Sequence, residues 1–183
     1  LTANRTIESF YKWSGGGRIP IFCDTTSCTH TLLFETGGDI LTPENREKYK
    51  QLKIMDITQW LKEVVLPRIK VIRPKNRILL HPTCSCQIMG LTPVLLDIAR
   101  KCAREVILPD NWGCCGASGD RGFIFPELSD SATRDERDEI GHESFDGCYS
   151  LARTCEIAMQ DHIEQPYESI VYLVDETIQD QGT

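Results

Sequence analysis

The chain has 183 residues, of which 40% are hydrophobic and 26% charged, and its net charge is −7. That length suits one domain or two small halves sharing a core, the acidic balance argues against a nucleic-acid surface, and apolar runs of only a few residues exclude a membrane-spanning helix. The count that stands out is nine cysteines.

Residues 1–18 read as a linker or N-terminal extension, because Gly15-Gly16-Gly17 is followed by no phosphate-binding strand–helix pattern. Ile19 to Phe22 reads as a short strand. Thr42-Pro43-Glu44 marks a helix start, with Thr as cap and Pro at the first helical position. Asp56 opens another helix, and Gln59 three residues on completes a capping box. Ile57, Trp60, Leu61, Val64 and Val65 share one face of it at helical spacing. Pro67 and Pro74 bracket a connection to a buried strand at Arg77 to Leu80. A helix from Thr92-Pro93 turns Val94, Leu95, Ile98 and Cys102 inward, and Glu105 to Leu108 forms the next strand. Glu127 to Glu143 is charged and reads as an exposed, solvated helix. Cys148 to Leu151 is a short strand, Thr154 caps a helix running to Ile163, and Ser169 to Gln179 places Ile170, Leu173, Val174 and Ile178 on one stripe.

Strands separated by helices predict an α/β fold with a mainly parallel sheet and flanking helices. Ile21-Phe22-Cys23-Asp24-Thr25-Thr26-Ser27-Cys28 echoes Leu79-Leu80-His81-Pro82-Thr83-Cys84-Ser85-Cys86. The echo suggests two related halves, about 19–75 and 76–183, within one domain spanning 19–183.

An odd number of cysteines, in a chain long enough to bury a core unaided, argues against a disulfide framework. Cys114 and Cys115 are adjacent, a spacing that rarely bonds to itself. The opening LTANRTIESFYKW lacks the charged start and apolar centre of a signal peptide. Thiols kept reduced in the cytoplasm and used as metal ligands are the expected chemistry. The chain starts at Leu1 rather than Met and reads as a piece of a longer polypeptide.

Cys28, Cys84, Cys114, Cys115 and Cys155 each fall in a turn after a predicted strand and before a helix. In an open parallel sheet such turns share the edge where ligands bind. Soft sulfur ligands there hold iron–sulfur clusters or zinc, and helix N-termini offset the negative charge. The sequence has no C-x2-C pair and no ferredoxin run, so spacing leaves the metal open. Cys102 reads as a core residue. Core, spare-thiol and ligand roles stay open for Cys23, Cys86 and Cys148. His81 reads as a structural hydrogen-bonding residue with ligation as its alternative, and His30, His142 and His162 read as surface residues. Asp120-Arg121 suggests a local ion pair shaping the loop, and Arg153 is balanced between tuning a cluster and contacting a carboxylate.

His81-Pro82-Thr83-Cys84, Trp112-Gly113-Cys114-Cys115-Gly116 and Arg153-Thr154-Cys155-Glu156 resemble the cysteine-rich "CCG" domain of heterodisulfide reductase and glycolate oxidase iron–sulfur subunits. With Met89-Gly90-Leu91, Gly119-Asp120-Arg121-Gly122 and Pro166-Tyr167 added, the pattern resembles the C-terminal region of FAD-linked D-2-hydroxyacid dehydrogenases of the D-lactate and D-2-hydroxyglutarate type. The resemblance covers the chain from about Ile19 onward. It implies an electron-transfer module bearing a 4Fe-4S cluster. The implied ligands are Cys84, Cys114, Cys115 and Cys155, with Cys28 as a candidate fifth. FAD and a ferredoxin-like segment would lie upstream in the full-length protein, and an electron acceptor would be the further partner. The implied location is the cytoplasm, at the inner-membrane periphery through the full-length protein. Ala152 stands where the wider pattern has another cysteine, which limits the chain to one cluster. A structural or assembly domain binding zinc or no metal is the alternative, as is an independent disulfide-reducing iron–sulfur subunit.

Overall fold

The computed structural model describes residues 2–178. The first half contains α1 (Thr2–Trp13), β1 (Ile21–Cys23), α2 (Thr26–His30), α3 (Pro43–Gln51), β2 (Ile54–Asp56) and α4 (Ile57–Trp60). α2 runs on as a π-helical turn, Thr31–Glu35, and α4 continues through Leu61–Val65 into Leu66–Arg68. The second half contains β3 (Lys75–Leu80), α5 (Cys84–Ile88), α6 (Thr92–Cys102), β4 (Ala103–Ile107), α7 (Arg121–Ile124), α8 (Pro126–Ile140), β5 (Gly147–Ser150), α9 (Arg153–Ile163), β6 (Tyr167–Ser169) and α10 (Ile170–Thr177).

The expected α/β architecture is present, with helices flanking two parallel sheets. β1 pairs with β2, and a separate four-stranded sheet has the order β4-β3-β5-β6. Leu80 lies opposite Tyr149, and Cys148 lies opposite Tyr167. Strand alternation divides the core between two faces. Ile78, Leu80 and Tyr149 pack with Leu95, Ile98, Cys102 and Leu173 on the side of α6 and α10. Leu79 and Cys148 pack with Ile140, Met159 and Ile163 on the side of α8 and α9. Ile57 and Leu61 join the first of these clusters, so the two halves share a core.

Local sequence explains several element boundaries. Thr42 accepts a hydrogen bond from the Asn45 backbone at 3.3 Å, ahead of Pro43 at the start of α3. Asp56 and Gln59 form the expected capping box. Other boundaries depart from the sequence reading. Residues 1–18 include α1, whose Ile7 is fully buried and which packs on α3. The glycines after it form a packed turn rather than a free linker. At Gly17, with φ of +82°, a Cβ would stand 2.0 Å from the Gln51 carbonyl oxygen.

β2 and β6 escape the sequence pattern because each has only three residues and passes directly into a helix. Ala152, not Thr154, is the N-cap of α9. The Glu127–Glu143 run is not solvated all round: Ser129, Thr133, Glu136 and Ile140 of α8 are buried. On the last helix Ile170, Leu173 and Val174 are buried as expected, while Gln179 lies outside the described residues. No described helix is long and apolar enough to cross a membrane.

Candidate thiol site

The four-stranded sheet has a topological switch point. From β3 the chain moves to β4 on one side, then returns to β5 on the other side of β3. The connections therefore diverge above the carboxyl ends of β3 and β5, where ligands bind in open α/β sheets. Three of those connections carry cysteines. Cys84 begins α5, Cys114 and Cys115 follow β4, and Cys155 lies in the first turn of α9.

These four thiols meet. Cys115 Sγ stands 3.0 Å from Cys155 Sγ. The Cys114 thiol interacts with those of Cys115 and Cys84. The Gly116 backbone N–H donates to Cys114 Sγ at 3.5 Å. Gly116 is required there: its φ is +74°, and a Cβ would come within 2.6 Å of the Leu128 carbonyl oxygen. Cys84 and Cys114 are exposed, whereas Cys115 and Cys155 are buried. The row thus runs from solvent into the core.

Cys28 stands apart from this row. It is exposed on α2, and its thiol neighbour is Cys23. Cys86, Cys102 and Cys148 are buried in the hydrophobic clusters. Among the described residues, no three His, Cys, Asp or Glu side chains are arranged to hold a metal ion. The donor type nevertheless suits a soft metal or cluster, because four thiols from three loops form a row of pairwise neighbours.

Cys84, Cys114 and Cys115 hold their protons strongly. Burial, then Cys114, raises the Cys84 pKa. The neighbouring Cys115 thiol, then burial, raises that of Cys114. The neighbouring Cys114 thiol holds the Cys115 pKa down, but Cys155 and burial outweigh this and push it up to about 12. Metal loading would therefore displace protons.

Beside the thiols lies a polar pair of which the sequence reading expected His81, as a structural hydrogen-bonding residue, and missed Glu136. His81, the residue after β3, is fully buried. Its Nδ1 lies 2.9 and 3.1 Å from the two carboxylate oxygens of Glu136 on α8. The other ring nitrogen, Nε2, has no hydrogen-bond partner among the described residues. The Tyr167 ring meets the His81 ring edge-on at 6.5 Å, and its hydroxyl also lacks a partner among the described residues. Burial, with the Glu136 carboxylate adding to it, holds that hydroxyl protonated. The period of α8 was the available signal, since Ser129, Thr133, Glu136 and Ile140 recur at spacings of three and four.

A cleft of about 410 Å3 opens along the same edge. Asp24 and Thr25 from the turn after β1 face Ala152, Arg153 and Glu156 of α9 across it. Arg153 Nη1 bonds Glu156 Oε2 at 3.1 Å, so its charge has a partner within its own helix. Burial raises the Glu156 pKa even against that arginine. Asp120 and Arg121 form no ion pair with each other among the described residues; Asp120 instead caps the start of α7 through its carbonyl, which accepts from Phe123 N–H at 3.1 Å. No family model matches the chain, and no curated protein matches it either.

Proposed function

We propose that the chain is the iron–sulfur, electron-transfer module of a flavin-dependent D-2-hydroxyacid oxidoreductase of the CCG type. The observation that carries this reading is the meeting of Cys84, Cys114, Cys115 and Cys155 at the sheet's switch point. Their motifs are the ones that resemble the CCG domain. Those four residues would hold the cluster, while Cys28, on α2 with Cys23 as its thiol neighbour, stays outside the row. A 4Fe-4S cluster bound there would supply one-electron transfer.

The chain's own residues have separate tasks. α9 begins at Ala152 without a side-chain cap, so its first backbone N–H groups are free to face negative charge. Cys84 and Cys114 form the exposed rim through which electrons would leave, and Cys115 and Cys155 form the buried floor. Oxidation of the hydroxy acid belongs to the flavin domain expected upstream in the full-length protein. A ferredoxin-like segment there and an external acceptor complete the electron path, in the cytoplasm at the inner-membrane periphery.

Anaerobic reconstitution with iron and sulfide tests the reading. The expected product is brown and holds about four iron and four sulfide per chain, as a cubane requires. Cys115→Ser should abolish the colour, and Cys102→Ser should leave it. A colourless product without iron overturns the proposal. Zinc bound in its place would favour the assembly-domain alternative.

A further inference from the structure

The Cys115–Cys155 pair has a second chemistry that cluster binding does not use. The two thiols lie 40 residues apart in sequence and 3.0 Å apart in space. A disulfide has a sulfur separation of about 2.05 Å, so closure needs a movement of about 1 Å. Both sulfurs are buried and beyond direct reach of a solute. Cys114 is exposed, however, and its thiol interacts with that of Cys115. An exposed thiol thus leads to a buried, closely spaced pair.

We propose that the metal-free chain forms a reversible Cys115–Cys155 disulfide by exchange with a small disulfide such as oxidised glutathione. Cys114, giving up its proton as it attacks the small disulfide, forms a mixed disulfide and releases one small thiol. Cys115 attacks the Cys114 sulfur and expels the second small thiol, leaving a Cys114–Cys115 disulfide that strain between adjacent residues keeps transient. Cys155 then attacks the Cys115 sulfur, and Cys114 leaves as a thiol. In sum, two protein thiols are oxidised, one small disulfide is reduced to two thiols, and the two protons pass to those products. Each step is an ordinary thiol–disulfide exchange. The final bond joins the loop after β4 to the start of α9. It uses two of the sulfurs that a cluster would need, so oxidation and cluster loading exclude each other.

The test uses the full chain, stripped of metal with a chelator, reduced, and then treated with oxidised glutathione. Intact mass should show the loss of two hydrogens with no glutathione retained. Digestion without reductant should give a cross-linked peptide pair containing Cys115 and Cys155, and reductant should restore every thiol. Cys155→Ser should leave glutathione on the protein, because without Cys155 the released glutathione reopens the strained Cys114–Cys115 bond. Cys114→Ser should slow cross-linking roughly tenfold, because the reaction would lose its accessible thiol. Cys102→Ser should change nothing. Stable glutathione on wild-type Cys114, a Cys84–Cys114 cross-link as the end product, or no loss of thiols would overturn the proposal. Iron binding is measured separately: a cross-link without reconstitution refutes only the cluster, and reconstitution without a cross-link refutes only the switch.

Discussion

The two echoing segments, Ile21–Cys28 and Leu79–Cys86, build the same local unit and reach different ends. Each is a strand end, a polar turn and a short helix. β1 belongs to a two-stranded sheet, and its Phe22 is 47% exposed. β3 is central in the larger sheet, flanked by β4 and β5, and its Ile78, Leu79 and Leu80 are all fully buried. Thr83 caps α5 by accepting from Cys86 N–H at 3.2 Å, whereas Thr25 makes no side-chain cap to α2. Cys28 and Cys86 are counterparts in the echo, yet Cys28 is exposed and Cys86 lies in the core. The turn after a strand gathers ligands only when neighbouring strands bring other turns beside it. β3 has such neighbours on both sides.

The largest effect should come from the central strand. Leu79→Ala should cost about 2–5 kcal/mol, measured by chemical denaturation, because it opens a cavity under α8 and α9. Phe22→Ala should cost about 1 kcal/mol, the scale of its stacking on Trp60. Equal losses would erase the contrast between the two strands.

Alkaline pH should act next, through the buried Cys148 beside β3. Burial pushes its pKa up to about 12, while an unfolded thiol titrates near about 8.5. The folded state keeps the proton that the unfolded state releases. This stability is complete below about pH 8.5 and is lost, at about 1.4 kcal/mol per pH unit, as pH rises towards the folded value. Cys148→Ala should flatten the fall in unfolding free energy over that range. An unchanged slope would mean that Cys148 is hydrated in the fold.

Glu136→Ala should cost about 1–3 kcal/mol by leaving His81 Nδ1 unpaired in the core. Glu136→Gln, which can still accept from Nδ1–H, should lose less. A neutral Glu136→Ala would show that the pair is hydrated and contributes nothing to β3's setting. The smallest effect tests the caps. Thr83→Ala should cost about 1 kcal/mol, and Thr25→Ala should leave the unfolding midpoint unchanged.

Much of the fold was legible where a short segment carries its own instruction. Thr42-Pro43 and the Asp56–Gln59 box name helix starts because caps act within three residues. Cys102 was legible as core from helical spacing, and it is fully buried on α6. α1 was hidden by its polar sequence, in which only Ile7 is buried. Glu136 was hidden inside a charged run, because its burial depends on a histidine 55 residues away.

By itself the sequence determined the alternation of strands and helices, the parallel sheet that alternation requires, and the cysteines that follow strands, in a loop or in the first turn of the next helix. Those properties come from periodicity and capping, which operate over one or two helical turns. Tertiary structure decided which turns meet. Cys84, Cys114, Cys115 and Cys155 come together because β3 lies between β4 and β5 at a point where the connections diverge, while Cys28 is set beside Cys23. Strand order and contacts across 40 or 55 residues arise from packing two faces of one sheet at once. No local pattern carries that information.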